Sequence, residues 1–240
     1  MTDEQIKEEP YRRAMVVVAH ADDAEYGCSG TVARWCKEGM DVIYVICTDG
    51  SKGSSDRGVT EEHLAATRKQ EQINAGKVLG LKDVVFLGYP DGYLQPTLEL
   101  RRDISREIRR HRPDILITTN PTRTLTGRGY IGHPDHFAAG EAALSAVYPS
   151  ARDHLTFPEL LTEGFEPHNV REVLIIGHET PDKWINVTDT LDQAIDALLS
   201  HVSQMRDHEA VRERMQNGRS GTGKGREMKY AEAFKSFTIQ

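Results

Sequence analysis

What the chain has little of limits it first. Three cysteines, Cys28, Cys36 and Cys47, stand among 240 residues. None forms a C-x2-4-C pair, so they do not make a thiolate zinc site, and an odd number cannot be fully paired within one chain. Reduced, mostly buried thiols in a cytoplasmic protein are the expectation. No apolar run approaches the roughly 20 residues of a membrane span, and Met1 to Arg13 lacks the hydrophobic centre of a signal peptide. Basic residues are in deficit, 30 Lys and Arg against 37 Asp and Glu, for a net charge of −7. That balance argues against the basic footprint of a nucleic-acid binder. There is no internal repeat and no linker that would divide the chain. Neither G-x-G-x-x-G nor a P-loop follows the first apolar run, which speaks against a dinucleotide or nucleoside triphosphate site.

What is present is an ordinary globular composition, 38% hydrophobic and 28% charged, long enough for one large core. Residues 1–13 read as a loosely docked arm and 14–240 as a single domain. Ala14 to Ala19, Asp41 to Cys47, Asp83 to Leu87 and Asp114 to Thr118 are short apolar, β-branched runs and read as strands. Helical spacing separates them at Gly27 to Lys37, Glu61 to Leu79 and Leu98 to Arg110, and returns from Pro134 to Val147. Val170 to Ile176 and Trp184 to Val187 read as the last strands, followed by one helix from Thr188 to about Met215. Gly218 to Gly225 reads as a flexible surface loop, and Met228 to Phe237 as a short final helix. Strands alternating with helices predict an α/β fold, Rossmann-like and doubly wound, with a mostly parallel sheet covered by helices on both faces.

Charge gathers where such a fold keeps its chemistry. The first strand ends in Val18-Ala19-His20-Ala21-Asp22-Asp23-Ala24-Glu25, and the carboxyl ends of strands in a doubly wound sheet open into a crevice. One Asp there would be an ordinary helix cap; four ionisable residues in six positions are too many for capping. The second group, His133-Pro134-Asp135-His136, follows the fourth strand. If strands one and four are neighbours, both groups face one crevice. Three N and O donors drawn from them could hold a dication and leave a position open for water. His20 and Asp23 can reach it from one tight turn, which leaves Asp22 free to take a proton. Of His133 and His136, one can bind while the other donates, and Asp135 can fix the tautomer of an imidazole.

These two motifs together resemble those of the PIG-L, or LmbE-like, family of zinc-dependent N-deacetylases. Ala19 to Glu25 is similar to its A-H-P-D-D-x-E motif, and His133 to His136 to its second. Thr48-Asp49-Gly50, and Arg68 with Glu71, fall in the matching order. Ala21 replaces the usual proline, which implies a change in loop rigidity and not a loss of chemistry. The resemblance covers roughly residues 14–200. It implies His20, Asp23 and His136 as metal ligands and Asp22 as general base. His133 would then be general acid or oxyanion stabiliser, and Asp135 the residue that orients a neighbouring histidine. Arg68 and Asp91 would bind substrate, although Arg68 could equally pair with Glu61 or Glu71 on a helix surface.

The expected reaction is hydrolysis of the N-acetyl group of an amino sugar or glycoside, with Zn2+ or another divalent ion such as Fe2+. The expected partner is a small N-acetylated sugar, with no nucleic acid and no membrane span; relatives are often homo-oligomers. Two rivals are a Rossmann-type nucleotide- or cofactor-binding protein and a metal-dependent phosphoesterase.

Overall fold

The computed structural model describes residues 10–125, 129 and 131–239. Residues 1–9 of the expected arm lie outside the described residues, as do 126–128, 130 and 240. At Arg12 and Arg13 the main-chain N–H groups already donate to the Asp114 carboxylate, so the chain is docked before the sheet begins.

The first strand, β1, runs from Arg13–Val18, and its residues from Ala14 onward are fully buried. A strand buried on both faces needs apolar side chains at every position rather than at alternate ones, which is why Ala14 to Val18 carries no polar residue. Alternate residues divide between two cores. Ala14, Val16 and Val18 pack against α1 (Asp23–Lys37) and α2 (Glu61–Leu79). Met15 and Val17 pack against α3 (Leu98–His111) and α4 (Pro134–Ser145). Burial of each Val or Met is worth ~1.5–3 kcal/mol relative to exposure. The remaining parallel strands are β2 (Asp41–Thr48), β3 (Asp83–Tyr89), β4 (Ile115–Thr119) and β5 (Glu172–Ile176). β6 (Lys183–Asn186) and β7 (Ala231–Thr238) complete a seven-stranded sheet in the order β3-β2-β1-β4-β5-β7-β6. β1 lies parallel to both β2 and β4, so the winding reverses between β1 and β4. This is the mostly parallel, doubly wound sheet expected from the sequence.

Four expectations are corrected, all of them about helices. α1 starts at Asp23 rather than Gly27, which puts Asp23 and Glu25 in its first turn, where the positive end of the helix dipole favours carboxylates. The single helix expected from Thr188 to Met215 is two, α6 (Leu191–Leu199) and α7 (His208–Gly223). The intervening segment is held to α2, because Glu71 accepts from both the main-chain N–H and the hydroxyl of Ser203. α7 also runs through most of the stretch read as a flexible loop. Gly223 is needed there: a Cβ on it would lie 2.3 Å from the Met228 carbonyl oxygen. Finally, Met228 to Phe237 is not helical. Ala231 to Thr238 is antiparallel to β5 on one side and to β6 on the other, with Glu232 and Phe234 buried two residues apart as a strand requires. α5 (Glu159–Thr162) is a single turn in the otherwise irregular 149–168 segment.

Candidate active site

The reversal between β1 and β4 brings the two charged motifs together. His20 leaves the end of β1, and His133 to His136 open α4 beyond β4. His20 Nδ1 lies 3.2 Å from His136 Nε2 and 3.4 Å from Asp23 Oδ2, and His136 Nε2 lies 3.1 Å from Asp23 Oδ1. Three lone-pair donors thus converge from three side chains. Their spacing is that between ligands of one tetrahedral dication, about 3.3 Å for bonds of 2.0–2.1 Å. The donor set, two imidazoles and a carboxylate, therefore fits a divalent cation in both chemistry and separation.

The other nitrogen of His20 fixes its role. Nε2 lies 3.0 Å from Asp91 Oδ1 and 3.2 Å from Asp135 Oδ2. His20 lies close enough to hold a cation with His133 and His136, and on its other side with Asp91 and Asp135. These carboxylates are engaged, however: Asp135 accepts from the N–H groups of Gly92 and Leu94, and Asp91 from that of Lys52. They are placed to accept the Nε2–H of His20, so that loss of the Nδ1 proton would turn a lone pair toward Asp23 and His136. Asp135 thus orients His20, 115 residues away, rather than its own neighbours; His133 Nδ1 is 3.8 Å from it.

Burial alone would lower the His20 pKa, but hydrogen bonds to Asp135, Asp23 and Asp91 overcome it and raise the pKa to about 11. Burial likewise opposes ionisation of Asp23, yet the bonds to His136 and His20 hold it well below the usual carboxylate range. Asp91 is held at about 2 against its burial by His20, and Asp135 is also lowered against its burial, by His20 and the Gly92 N–H.

Asp22 behaves differently. It occupies the N-cap position of α1, yet its side chain makes no capping hydrogen bond, so capping does not account for it. Burial first, then the neighbouring Asp23 charge, raises its carboxyl above the ordinary range, with Arg68 opposing. Arg68 Nη2 lies 3.7 Å from Asp22 Oδ1, and Arg68 Nη1 lies 3.7 Å from Asp91 Oδ2. The surface pairing considered for Arg68 is absent among the described residues. Glu61 instead pairs with Lys52, and Glu71 holds Ser203. Arg68 is 6% exposed and binds the Ala21 carbonyl at 2.8 Å.

His133 caps α4, its Nδ1 accepting from the Asp135 N–H at 3.2 Å. Its proton therefore sits on Nε2. Burial and the nearby His20 charge lower its pKa, so at neutral pH it is a neutral donor.

These groups, the fully buried Asp135 apart, line one cavity of about 940 Å³, together with Tyr26, Lys52, Thr119, Ile176 and Arg214. Tyr26, Lys52 and Arg214 were not singled out in the sequence. They belong to no motif, and Arg214 lies on α7, inside the longer helix expected from Thr188 to about Met215. The three cysteines are free, and Cys28 and Cys47 are buried. Among the described residues no helix is long and apolar enough to cross a membrane.

Comparison with known proteins agrees with the geometry. The N,N'-diacetylchitobiose deacetylase of Pyrococcus horikoshii, solved with an inhibitor, superposes with a TM-score of 0.87 at 26% identity, over 95% of this chain and 84% of that one. The diacetylchitobiose deacetylase of Thermococcus kodakarensis is 30% identical over 193 residues, 80% of this chain and 70% of that protein. A probable N-acetyl-alpha-D-glucosaminyl L-malate deacetylase of Bacillus anthracis is 29% identical over 80% of this chain and 81% of its own. The family model described as PIG-L, GlcNAc-PI de-N-acetylase, matches residues 15–147, which contain both motifs. The chain belongs to the PIG-L, or LmbE-like, family of de-N-acetylases.

Proposed function

We propose that this protein is a divalent-metal-dependent deacetylase that hydrolyses the N-acetyl group of an amino sugar or its glycoside, with N-acetylglucosamine derivatives as the substrate class. One observation carries the reading: three convergent donors, His20 Nδ1, Asp23 and His136 Nε2, stand beside a fourth group, Asp22, that no cap or strong ion pair occupies. The relatives named for diacetylchitobiose and for an N-acetylglucosaminyl malate support the substrate class.

His20, Asp23 and His136 would hold the cation; zinc is our assignment, and the same N and O donors accept iron(II). Bound there, the ion supplies a water of lowered pKa and a Lewis acid for the acetamide carbonyl. Asp22, which no cap occupies, takes the proton of the attacking water. His133 donates its Nε2–H toward the developing oxyanion or the departing amine. Asp91 and Asp135 hold the His20 ring, and Arg68 holds the loop that carries Asp22. The walls formed by Tyr26, Lys52, Ile176 and Arg214 receive the sugar and what is attached to it. The three free thiols accord with work in the cytoplasm.

The rivals fit less well. A nucleotide's phosphates would meet Asp22, Asp23 and Asp91 in the same crevice. A two-metal phosphoesterase would need a second open donor set, and the carboxylates beside His20 are already bound to main-chain N–H groups. The test is amine release from a panel of N-acetylated sugars and glycosides, with and without a chelator. We expect chelator-sensitive release restored by zinc or iron(II). No release from any member, or release indifferent to the chelator, overturns the reading.

A further inference from the structure

Asp22 has φ 87° and ψ −24°, left-handed backbone in a residue that is not glycine. Such a conformation costs ~1–2 kcal/mol and persists only where its surroundings hold it. Two residues of α2, one helical turn apart, do so. Arg68 Nη2 donates to the Ala21 carbonyl at 2.8 Å, and Gln72 Oε1 accepts the Asp22 N–H at 3.2 Å. Both polar ends of the single peptide unit joining Ala21 to Asp22 are therefore gripped by α2. A peptide plane fixed at both ends limits rotation about the Asp22 N–Cα bond, and with it the direction in which the carboxylate leaves the chain.

The orientation of Gln72 is itself determined. Its side chain is fully buried, and Nε2 donates to Glu25 Oε1 at 2.9 Å, so Oε1 must face the Asp22 N–H. Glu25 is fully buried too, and its other oxygen lies 3.4 Å from Nε2 of the equally buried His201. Neither that oxygen nor either His201 nitrogen has a hydrogen-bond partner among the described residues. His201 comes from the segment between α6 and α7, which Glu71 ties to α2 through Ser203. None of these groups reaches the cavity, yet they form a continuous line from the C-terminal helices to the main chain of Asp22.

We propose that Gln72 is a positioning residue for Asp22, acting through the Ala21–Asp22 peptide, and that the buried Glu25 carboxylate, which accepts from Gln72 Nε2, holds Gln72 in the orientation that lets it act. The inference rests on the reading of Asp22 as the base. It separates the two jobs of α2: Arg68 carries charge beside the carboxylate, whereas Gln72 is neutral and sets only where the carboxylate points.

A double-mutant cycle tests it. Gln72→Met removes the acceptor at nearly constant volume, and Gln72→Asn, the milder arm, keeps the amide but draws it back by one methylene. In the wild-type background either change lowers kcat by about 10- to 100-fold, while KM and bound metal per chain stay within about twofold. In an Asp22→Asn background the same changes cost less than about twofold more, because the group they position is already gone. Equal losses in both backgrounds, a loss confined to KM, or unchanged kcat overturns the proposal. Amide hydrogen exchange reads the clamp without turnover. Protection of the Asp22 N–H falls at least tenfold in Gln72→Met while the β1 amides keep theirs. Should the wild type deacetylate nothing, the assigned reaction fails on its own, and unchanged exchange at Asp22 would separately refute the clamp.

Discussion

At the scale of single residues the site separates two adjacent carboxylates. Asp23 is drawn toward His20 and His136 and stays ionised; Asp22 is turned away by its left-handed backbone and takes up a proton more readily. Asp22→Asn is expected to keep stoichiometric metal and lose about 10²- to 10⁴-fold in kcat. Asp23→Ala is expected to lose the metal as well, and elemental analysis beside kinetics distinguishes them. Near-normal turnover in Asp22→Asn would remove it as the base. His20 makes a second prediction. In the metal-free chain its pKa of about 11 keeps it protonated at neutral pH, so a cation that takes Nδ1 must displace a proton. Metal affinity then rises with pH between about 7 and 9, by about tenfold per unit for one released proton. Calorimetry in two buffers of different ionisation enthalpy measures the release, and a binding enthalpy independent of buffer contradicts it. The residue types of this site were legible because their chemistry is unusual at a strand end. The target of Asp135 was not: nothing near it in the chain points to His20, which reaches it only because β1 and β4 are neighbours.

Elements were legible where one period dominates. The alternation of apolar and charged residues along α3 and the unbroken apolar run of β1 each admit one reading. The C-terminal elements are not legible in the sequence, because long-range contacts decide them. Gly218, Gly221 and Gly223 suggest a loop by composition, but α7 is anchored through Arg219, which binds the Tyr26 carbonyl and Glu232. β7 is short and mixed, and its burial pattern emerges only between β5 and β6. Glu232 is the hinge of this arrangement: 3% exposed, it accepts from the N–H groups of Gly30 and Thr31 in α1 at 3.1 and 2.8 Å, and from Arg219 at 3.1 Å. Gly30 permits the approach, since a Cβ there would lie 2.8 Å from Val187. Glu232→Ala should destabilise the fold by about 3 kcal/mol, because it removes the counter-charge of a largely buried guanidinium and an acceptor that two α1 N–H groups share. Urea unfolding measures this; a loss under about 0.5 kcal/mol would show that the ties between α1, α7 and β7 are dispensable.

On the scale of the whole molecule, the chemistry gathers at the reversal between β1 and β4, while the sheet is closed by a strand from the far end of the described chain. β7 lies between β5 and β6, with Phe234 fully buried against the core that also holds α1. Removing residues 226–240 should therefore abolish cooperative unfolding and not merely trim an edge. Thermal unfolding followed by circular dichroism tests this, and a sharp transition in the truncated chain would count against it. The same topology bears on how the molecule is made. Among the described strands β6 pairs only with β7, and α6 and α7 are both encoded between them. On a ribosome adding about 5–20 residues per second, β6 emerges some seconds before the strand that will cover it. The half of the sheet that carries the candidate site, β1 to β4, can meanwhile assemble from chain already synthesised. Through that interval one edge of the nascent sheet is open to other chains, so the pace of translation across α6 and α7 becomes a determinant of how much protein is recovered folded.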